Sequence, residues 1–396
     1  MTSKGSVLEH LLLQNLAAFF DIGEHGHMKL RGADWNDALD MGKDRGESVA
    51  FTAAYCANYR RLASILRKYS EIKGVDVIEA AAELNGLMGV PSERMMQRTL
   101  SDYCSIVKYG FGGAKMIYDI EDIAKDLEEK ADYIEKHILE NEWFTDAEGY
   151  SRFNGYYDNS GRALETGDAG NMMLTSQVFT VMSGIASEDQ VKEVVKSADK
   201  YLYDEAIGGY KLNTNFHEIK TDMGRMFGFS YGQKENGAVF SHMTVMFGNA
   251  LYTRGFKDEG WKVIGTLYRH ATDFESSKIF PGVPEYFDPK GRGVYHYLTG
   301  AASWLMLTVL TEMFGVKGDY GALKFVPQLV NSQFDENGEA GVSFEFNGKP
   351  VNVTYKKTAP DASSVVAITV DGAKVVEGSN VLPADKIGSE IVVELG

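Results

Sequence analysis

Within seven residues, Arg31-Gly-Ala-Asp-Trp-Asn-Asp37, the chain crowds two carboxylates, an indole and a guanidinium. Such a cluster suits sugar chemistry. An aromatic face packs on a pyranose ring, and amide and carboxylate groups hydrogen-bond its hydroxyls. A carboxyl sheltered from water can keep a proton at neutral pH and deliver it to a glycosidic oxygen. The plainer reading of the same residues is that Asp34 and Asp37 cap free N–H groups near a helix start while Trp35 packs in the core.

A second cluster is Tyr231-Gly-Gln-Lys-Glu-Asn-Gly237, followed by His242. A helix starting near Asn236 would put Glu235 and His242 two turns apart, facing one cleft. A glutamate beside Lys234 suits hydroxyl recognition, and a histidine at a helix entrance suits an oxyanion. The structural alternative is a capping Glu235 and a hydrogen-bonded core histidine. A third cluster runs from Gly291-Arg-Gly293 to Tyr295-His-Tyr-Leu-Thr-Gly300-Ala-Ala-Ser-Trp304. Small residues ahead of an apolar helix expose N–H groups that can cradle a phosphate, and Thr299 adds a hydroxyl. Its spacing is neither a Walker nor a Rossmann fingerprint, and a simple N-cap at Thr299 would also account for it.

These clusters are interleaved with helical sequence. Leu8, Leu12, Leu16 and Phe19 recur at helical spacing, and Ile120, Ile123, Leu127, Ala131, Ile134 and Ile138 form one apolar stripe. Further helices are expected near 47–69, 76–88, 91–108, 170–184, 188–204, 236–253, 258–272 and 299–314. Long glycine- and aromatic-rich connections run from Trp143 to Asp158, Gly208 to Gln233 and Ile279 to Tyr297; loops of that length usually carry function. After Gly318 the period falls to two. Val342, Phe344 and Phe346 alternate before Asn347-Gly348, with Val351, Val353 and Tyr355 beyond. Val366, Ile368 and Val370 precede Asp371-Gly372, with Val375 and Val376 beyond. Both are hairpin signatures. No internal repeat is evident. The expected division is a helical domain over 1–318 and a β-rich domain over 319–396.

With 396 residues the chain can bury a large core, and a net charge of −16 repels polyanions. Nucleic acid and anionic membranes are poor partners, and any phosphate site must be built locally from cations and N–H groups. Cys56 and Cys104 show neither a disulfide framework nor a zinc spacing, so no metal or cofactor is expected. The N-terminal apolar stretch is interrupted by Gln14 and Asn15 and lacks a cleavage site, and no uncharged run is long enough for a membrane span. A cytoplasmic protein is expected.

Taken together, the clusters resemble the glycoside phosphorylases of family 94, the group of cellobiose and chitobiose phosphorylases. The match is carried by Ala33-Asp-Trp-Asn-Asp37, Gly46-Glu-Ser-Val49, Lys234-Glu-Asn-Gly237 with His242, and Tyr297-Leu-Thr-Gly300. Val283-Pro-Glu-Tyr-Phe287 with Gly291-Arg-Gly293 looks most like the 1,2-β-oligoglucan phosphorylases. The resemblance implies a mainly α fold, an (α/α)6 barrel incomplete at its N-terminus, followed by a small β-sandwich. It implies Asp37 as general acid, Trp35, Lys234 and Glu235 on the sugar, and His242, Thr299 and Gly300 on phosphate. Arg31 for the sugar and Arg292 for phosphate are added on chemistry alone. The implied reaction is inverting phosphorolysis of a β-linked glucan oligosaccharide to α-glucose 1-phosphate, with inorganic phosphate as co-substrate. One carboxyl then suffices, because phosphate is already a nucleophile at pH 7; burial and a neighbouring Asp34 or Glu235 would keep Asp37 protonated.

Family members begin with a β-sandwich, a linker and barrel helices that have no counterpart before residue 31. An apolar flank is therefore expected, covered by an N-terminal companion chain or by a homodimer partner. Two other classes fit the same residues. One is an inverting hydrolase on an (α/α)6 barrel with Glu235 or Glu285 as base. The other is a non-catalytic carbohydrate-binding subunit.

Overall fold

A computed structural model describes residues 4–167, 170–280, 282–297 and 299–396. The chain divides into two compact units, residues 1–203 with 210–238 and residues 204–209 with 239–396.

The first unit is built on α1 (Val7–Phe20), α2 (Val49–Lys73), α3 (Glu93–Val107), α4 (Ile120–Asn141), α5 (Leu174–Met182) and α6 (Glu188–Tyr201). Helix α4 forms as its spacing predicts. Asp119 caps it by accepting from the Glu121 and Asp122 N–H groups, and the whole Ile120–Ile138 stripe is buried. Each large apolar side chain so buried contributes ~1.5–3 kcal/mol. The stripe packs along α2, where Cys56 Sγ donates to the Ala131 carbonyl and Tyr59 ties α2 to Asn15 of α1.

The segment expected as a helix over 76–88 is instead a strand, Val77–Ala81, leading into a short 3-10 helix, Ala82–Leu87. Past a left-handed Gly74, the β-branched Val77 and Ile78 open a strand that pairs with Lys115–Asp119, so the ladder outweighs the apolar periodicity. The connections that looked irregular also carry short strands. Met28–Lys29 is β1 and Glu47–Ser48 is β2; Tyr156–Tyr157 pairs with β2.

The second unit opens with Val239–Phe240 and continues into α7 (Ser241–Thr253) and α8 (Lys257–Thr272). Helix α7 thus begins at Ser241, not near Asn236. Residues 300–307 form a helix that passes into a π-helical turn, Thr308–Met313. Beyond it lie a three-stranded sheet, which begins at Val316, and a five-stranded sheet. Both expected hairpins are present, Glu339–Phe346 with Lys349–Lys357 and Val365–Val370 with Ala373–Glu377. Their turns need positive φ at two central residues, and Asn347-Gly348 (50°, 73°) and Asp371-Gly372 (49°, 83°) supply it. A register shift between Val365 and Ala367 leaves Val366 exposed, against the simple alternation expected there. The molecule is therefore mixed helix and strand, with more strand among its helices than a mainly α fold would have.

An internal recurrence, not evident in the sequence alone, accompanies the helices. Tyr156-Tyr-Asp-Asn-Ser-Gly-Arg162 and Tyr286-Phe-Asp-Pro-Lys-Gly-Arg292 make the same strand and turn. Each strand pairs with the two residues preceding a long helix, Glu47–Ser48 before α2 and Val239–Phe240 before α7. In each turn the glycine N–H returns to the aspartate carbonyl, at 2.9 and 2.8 Å, and the arginine Nε binds the aspartate Oδ2, at 3.1 and 2.9 Å. Among the described residues, no helix is long and apolar enough to cross a membrane.

Candidate active site

The Asp34–Asp37 segment hangs between β1 and β2, and buried histidines and glutamates hold those strands in place. Glu47, fully buried, accepts from the His25 and His27 backbone N–H groups and sits 2.8 Å from His25 Nδ1. Gly23 leaves room for that carboxylate, since a Cβ there would lie 2.2 Å from Glu47 Cδ. His27, also fully buried, meets Glu142 at 2.7 Å, and Glu142 accepts from Asn154 and Tyr157. Burial opposes the charge on Glu142, yet its bonds with His27, Asn154 and Tyr157 outweigh that and hold its pKa below the usual range.

The two aspartates of the cluster have different tasks, and neither caps a helix. Asp34 Oδ2 accepts from Ser48 Oγ at 2.8 Å and Oδ1 from the Asn36 N–H at 2.8 Å, while Asn36 Oδ1 accepts from the Ala38 N–H. Burial pushes the Asp34 pKa up, against its hydrogen bonds with Tyr156 and Ser48. Asp37 projects from the turn that Asp34 folds, its side chain 75% exposed. The shelter expected for the Asp37 carboxyl is found for that of Asp34 instead, because Asn36 and Ala38 are buried and leave Asp37 at the turn's tip.

Asp37 is joined to Arg225, which sequence reading passed over. Arg225 Nη2 lies 3.0 Å from Asp37 Oδ1, and Nη1 donates to the Asp37 carbonyl and to Asp40 Oδ2, both at 2.8 Å. Glu235 is close to this group. Its pKa is pushed up by burial and then by the charge of Asp37, with Lys234 and Arg225 opposing. Among the described residues, Glu235 Oε2 has no hydrogen-bond partner. Lys234 takes a left-handed conformation (φ 49°) in a loop that Asn213 fastens by accepting from the Gly237 N–H at 2.7 Å. Trp35 is half-buried. Arg31, exposed, is engaged by Asp21 through Nε at 2.9 Å and Nη2 at 2.5 Å. The first unit thus brings Asp37, Glu235 and Arg225 together.

In the second unit His242 is the second residue of α7, and burial pushes its pKa down to about 4. It is neutral at pH 7 and offers a hydrogen bond rather than a charge. Gly300 lies against it: a Cβ at residue 300 would fall 2.7 Å from His242 Nδ1 and Cε1. Thr299 caps the helix beginning at Gly300, its hydroxyl accepting from the Ala301 N–H at 3.2 Å. Leu298 of the Tyr297–Gly300 motif lies outside the described residues. Arg292 is exposed and bound to buried Asp288 through Nε at 2.9 Å and Nη2 at 2.6 Å, repeating the Arg162–Asp158 brace. Its guanidinium is accounted for without a ligand.

The sequence profile of the glycosyl hydrolase 94 superfamily, catalytic domain, matches residues 114–315, about half of the chain, and the chain belongs to that superfamily. Over 282 residues it is 26% identical to a cellobionic acid phosphorylase of Neurospora crassa, covering 67% of this chain and 33% of that protein. It is 22% identical over 382 residues to a solabiose phosphorylase of Paenibacillus borealis, covering 94% and 42%. A third relative, an N,N'-diacetylchitobiose phosphorylase of Vibrio proteolyticus, is 22% identical over 404 residues, covering 99% and 43%. The chain spans less than half the length of each.

Proposed function

We propose that this chain carries the catalytic residues of an inverting glycoside phosphorylase that converts β-linked glucosyl oligosaccharides, a β-1,2-oligoglucan foremost, and inorganic phosphate into α-glucose 1-phosphate. Membership of the superfamily and the phosphorylase names of its relatives support the reaction class. The observation that carries the residue assignment is the division of labour in the Asp34–Asp37 turn: one aspartate is locked into structure, and the other is presented at the tip beside Glu235.

In this reading a glucosyl ring stacks on Trp35 and takes hydroxyl contacts from Lys234 and Glu235. Asp37 protonates the glycosidic oxygen as phosphate, held by His242, Thr299 and the Gly300 N–H, attacks the anomeric carbon from the opposite face. Arg31 and Arg292 would join only by exchanging Asp21 and Asp288 for ligand. No metal or organic cofactor takes part. The helical domain over 1–318 is read as part of an (α/α)6 barrel and 319–396 as a β-sandwich; the recurrent strand-turn-helix unit supports a ring of repeated helix pairs. Ile65, Tyr69 and Ile72 form an exposed stripe on α2, 40–53% accessible, on which a companion segment or second copy would pack. The net charge disfavours nucleic acid and anionic membranes, and the reading is of a cytoplasmic enzyme.

One observation favours a second reading. Glu235 lies near enough to Asp37 to feel its charge, so an inverting hydrolase with Glu235 as base uses the same residues. The test is to incubate the protein with a panel of β-linked glucosyl disaccharides, with and without phosphate and an N-terminal companion, and to assay glucose 1-phosphate. Phosphate-dependent product that is lost in Asp37→Asn supports phosphorolysis. Phosphate-independent glucose release supports hydrolysis.

A further inference from the structure

We propose that Arg225 is the positioning residue of the acid turn, deciding which oxygen of Asp37 carries the proton and meeting the charge left when it departs. The inference rests on the reading of Asp37 as proton donor.

Three hydrogen bonds and one ion pair fix Arg225 on the turn. Its backbone N–H donates to Asp40 Oδ1 at 3.1 Å, and its guanidinium reaches Asp37 Oδ1, the Asp37 carbonyl and Asp40 Oδ2. The segment bearing it cannot slide. Gly224 has φ 153°, and a Cβ there would stand 2.1 Å from the Ala38 carbonyl oxygen. The Met226 N–H donates to that carbonyl, and the Met41 N–H donates to Met223, each at 3.0 Å. Residues 223–226 and 38–41 are thus zipped together with the guanidinium at their tip.

An exposed aspartate is otherwise free to rotate, and fixing it removes orientational entropy before the reaction begins. The contact is also asymmetric. Oδ1 is the oxygen that the guanidinium meets, Arg225 Nη2 standing 3.0 Å from it as an ion pair. A neutral Asp37 then leaves Oδ1 to the guanidinium and carries its proton on Oδ2. When that proton moves to the glycosidic oxygen, the carboxyl O–H bond breaks and an O–H forms on the departing sugar; a phosphate oxygen bonds to the anomeric carbon as its bond to that sugar breaks, the electron pair going to the departing oxygen, and Asp37 is left as a carboxylate already paired with Arg225. The interaction is stronger after transfer than before it, which is the condition for lowering the barrier.

The experiment compares wild type, Arg225→Ala and Arg225→Lys in glucose 1-phosphate formation, with millimolar guanidinium, urea or sodium chloride added to the alanine variant, alongside amide exchange over residues 36–42. Arg225→Ala should lose roughly 100-fold in kcat with KM for sugar and phosphate nearly unchanged, guanidinium alone should restore roughly tenfold, and lysine should fall between. Exchange should quicken in Arg225→Ala and slow again with guanidinium. A kcat near wild type, a loss that guanidinium cannot relieve, or equal relief by sodium chloride would overturn the proposal. If wild type makes no glucose 1-phosphate, the reading of Asp37 fails separately; the clamp is then decided by exchange, which supports it if guanidinium-sensitive and overturns it if unchanged by the substitution.

Discussion

Asp37 and Arg225 are 188 positions apart in sequence and 3.0 Å apart in space, while Asp34, three residues from Asp37, is tied to Ser48 and the Asn36 N–H. One short turn thus separates a carboxylate braced by hydrogen bonds from an exposed one. Asp37→Asn should abolish turnover and leave the unfolding midpoint unchanged, because the side chain is mostly exposed. Asp34→Ala should instead lower stability by ~1–3 kcal/mol, since it strands the Ser48 hydroxyl and the Asn36 N–H. Urea unfolding with parallel activity assays checks both; equal stability losses would contradict the division.

Gly300 is required by space, not by backbone conformation. An alanine there would drive a methyl to 2.7 Å from the His242 ring, forcing it out of place. Gly300→Ala should therefore raise the KM for phosphate roughly tenfold or more, much as His242→Ala should, with little change in the KM for sugar. Initial rates over a phosphate series decide it. If Gly300→Ala binds phosphate normally, His242 has no part in holding it.

Glu165 gives the fold a signed pH dependence. It is fully buried, and burial pushes its pKa up to about 7, against donors from Ser176, Met173 and Gly155. In the unfolded chain a glutamate titrates near ~4.3. Between these values the unfolded chain releases the proton and the native one keeps it, so rising pH costs stability, ~4 kcal/mol in all, until about pH 7. Denaturant unfolding of wild type and Glu165→Gln at pH 5, 7 and 8.5 should show the difference between them changing through that window. A constant difference would contradict it.

Arg292 is expected to behave as Arg162 does. Each braces a turn through a buried aspartate, and Arg292 remains exposed, so Arg292→Ala should cost less than ~1 kcal/mol. Its KM for phosphate should stay within about threefold of wild type. A large, phosphate-specific rise would show that Arg292 leaves Asp288 for the ligand.

Much of the helix pattern was legible because period and caps agree along segments such as Ile120–Ile138, and the two hairpins because Asn-Gly and Asp-Gly demand positive φ. The 76–88 segment misled because an apolar run at helical spacing was also a run of β-branched residues with a partner strand nearly forty positions on. Arg225 was invisible for the same kind of reason: its meaning lies in contacts with residues 37 and 40, and no local spacing marks it. Asp34 and Asp37 were recognised as a cluster, but which of them is buried depended on Ser48, which β2 brings alongside. The recurrence around Asp158 and Asp288 is weak in sequence because only Tyr, Asp, Gly and Arg are shared, and it is the common hydrogen-bond pattern that defines it.

The most direct measurement of the central claim is the phosphate dependence of product formed from a β-linked glucosyl oligosaccharide, with glucose 1-phosphate and glucose assayed together in wild type and Asp37→Asn. α-Glucose 1-phosphate should form only when inorganic phosphate is present, and none should form from the variant. Glucose released equally without phosphate, or glucose 1-phosphate still formed by Asp37→Asn, would contradict it.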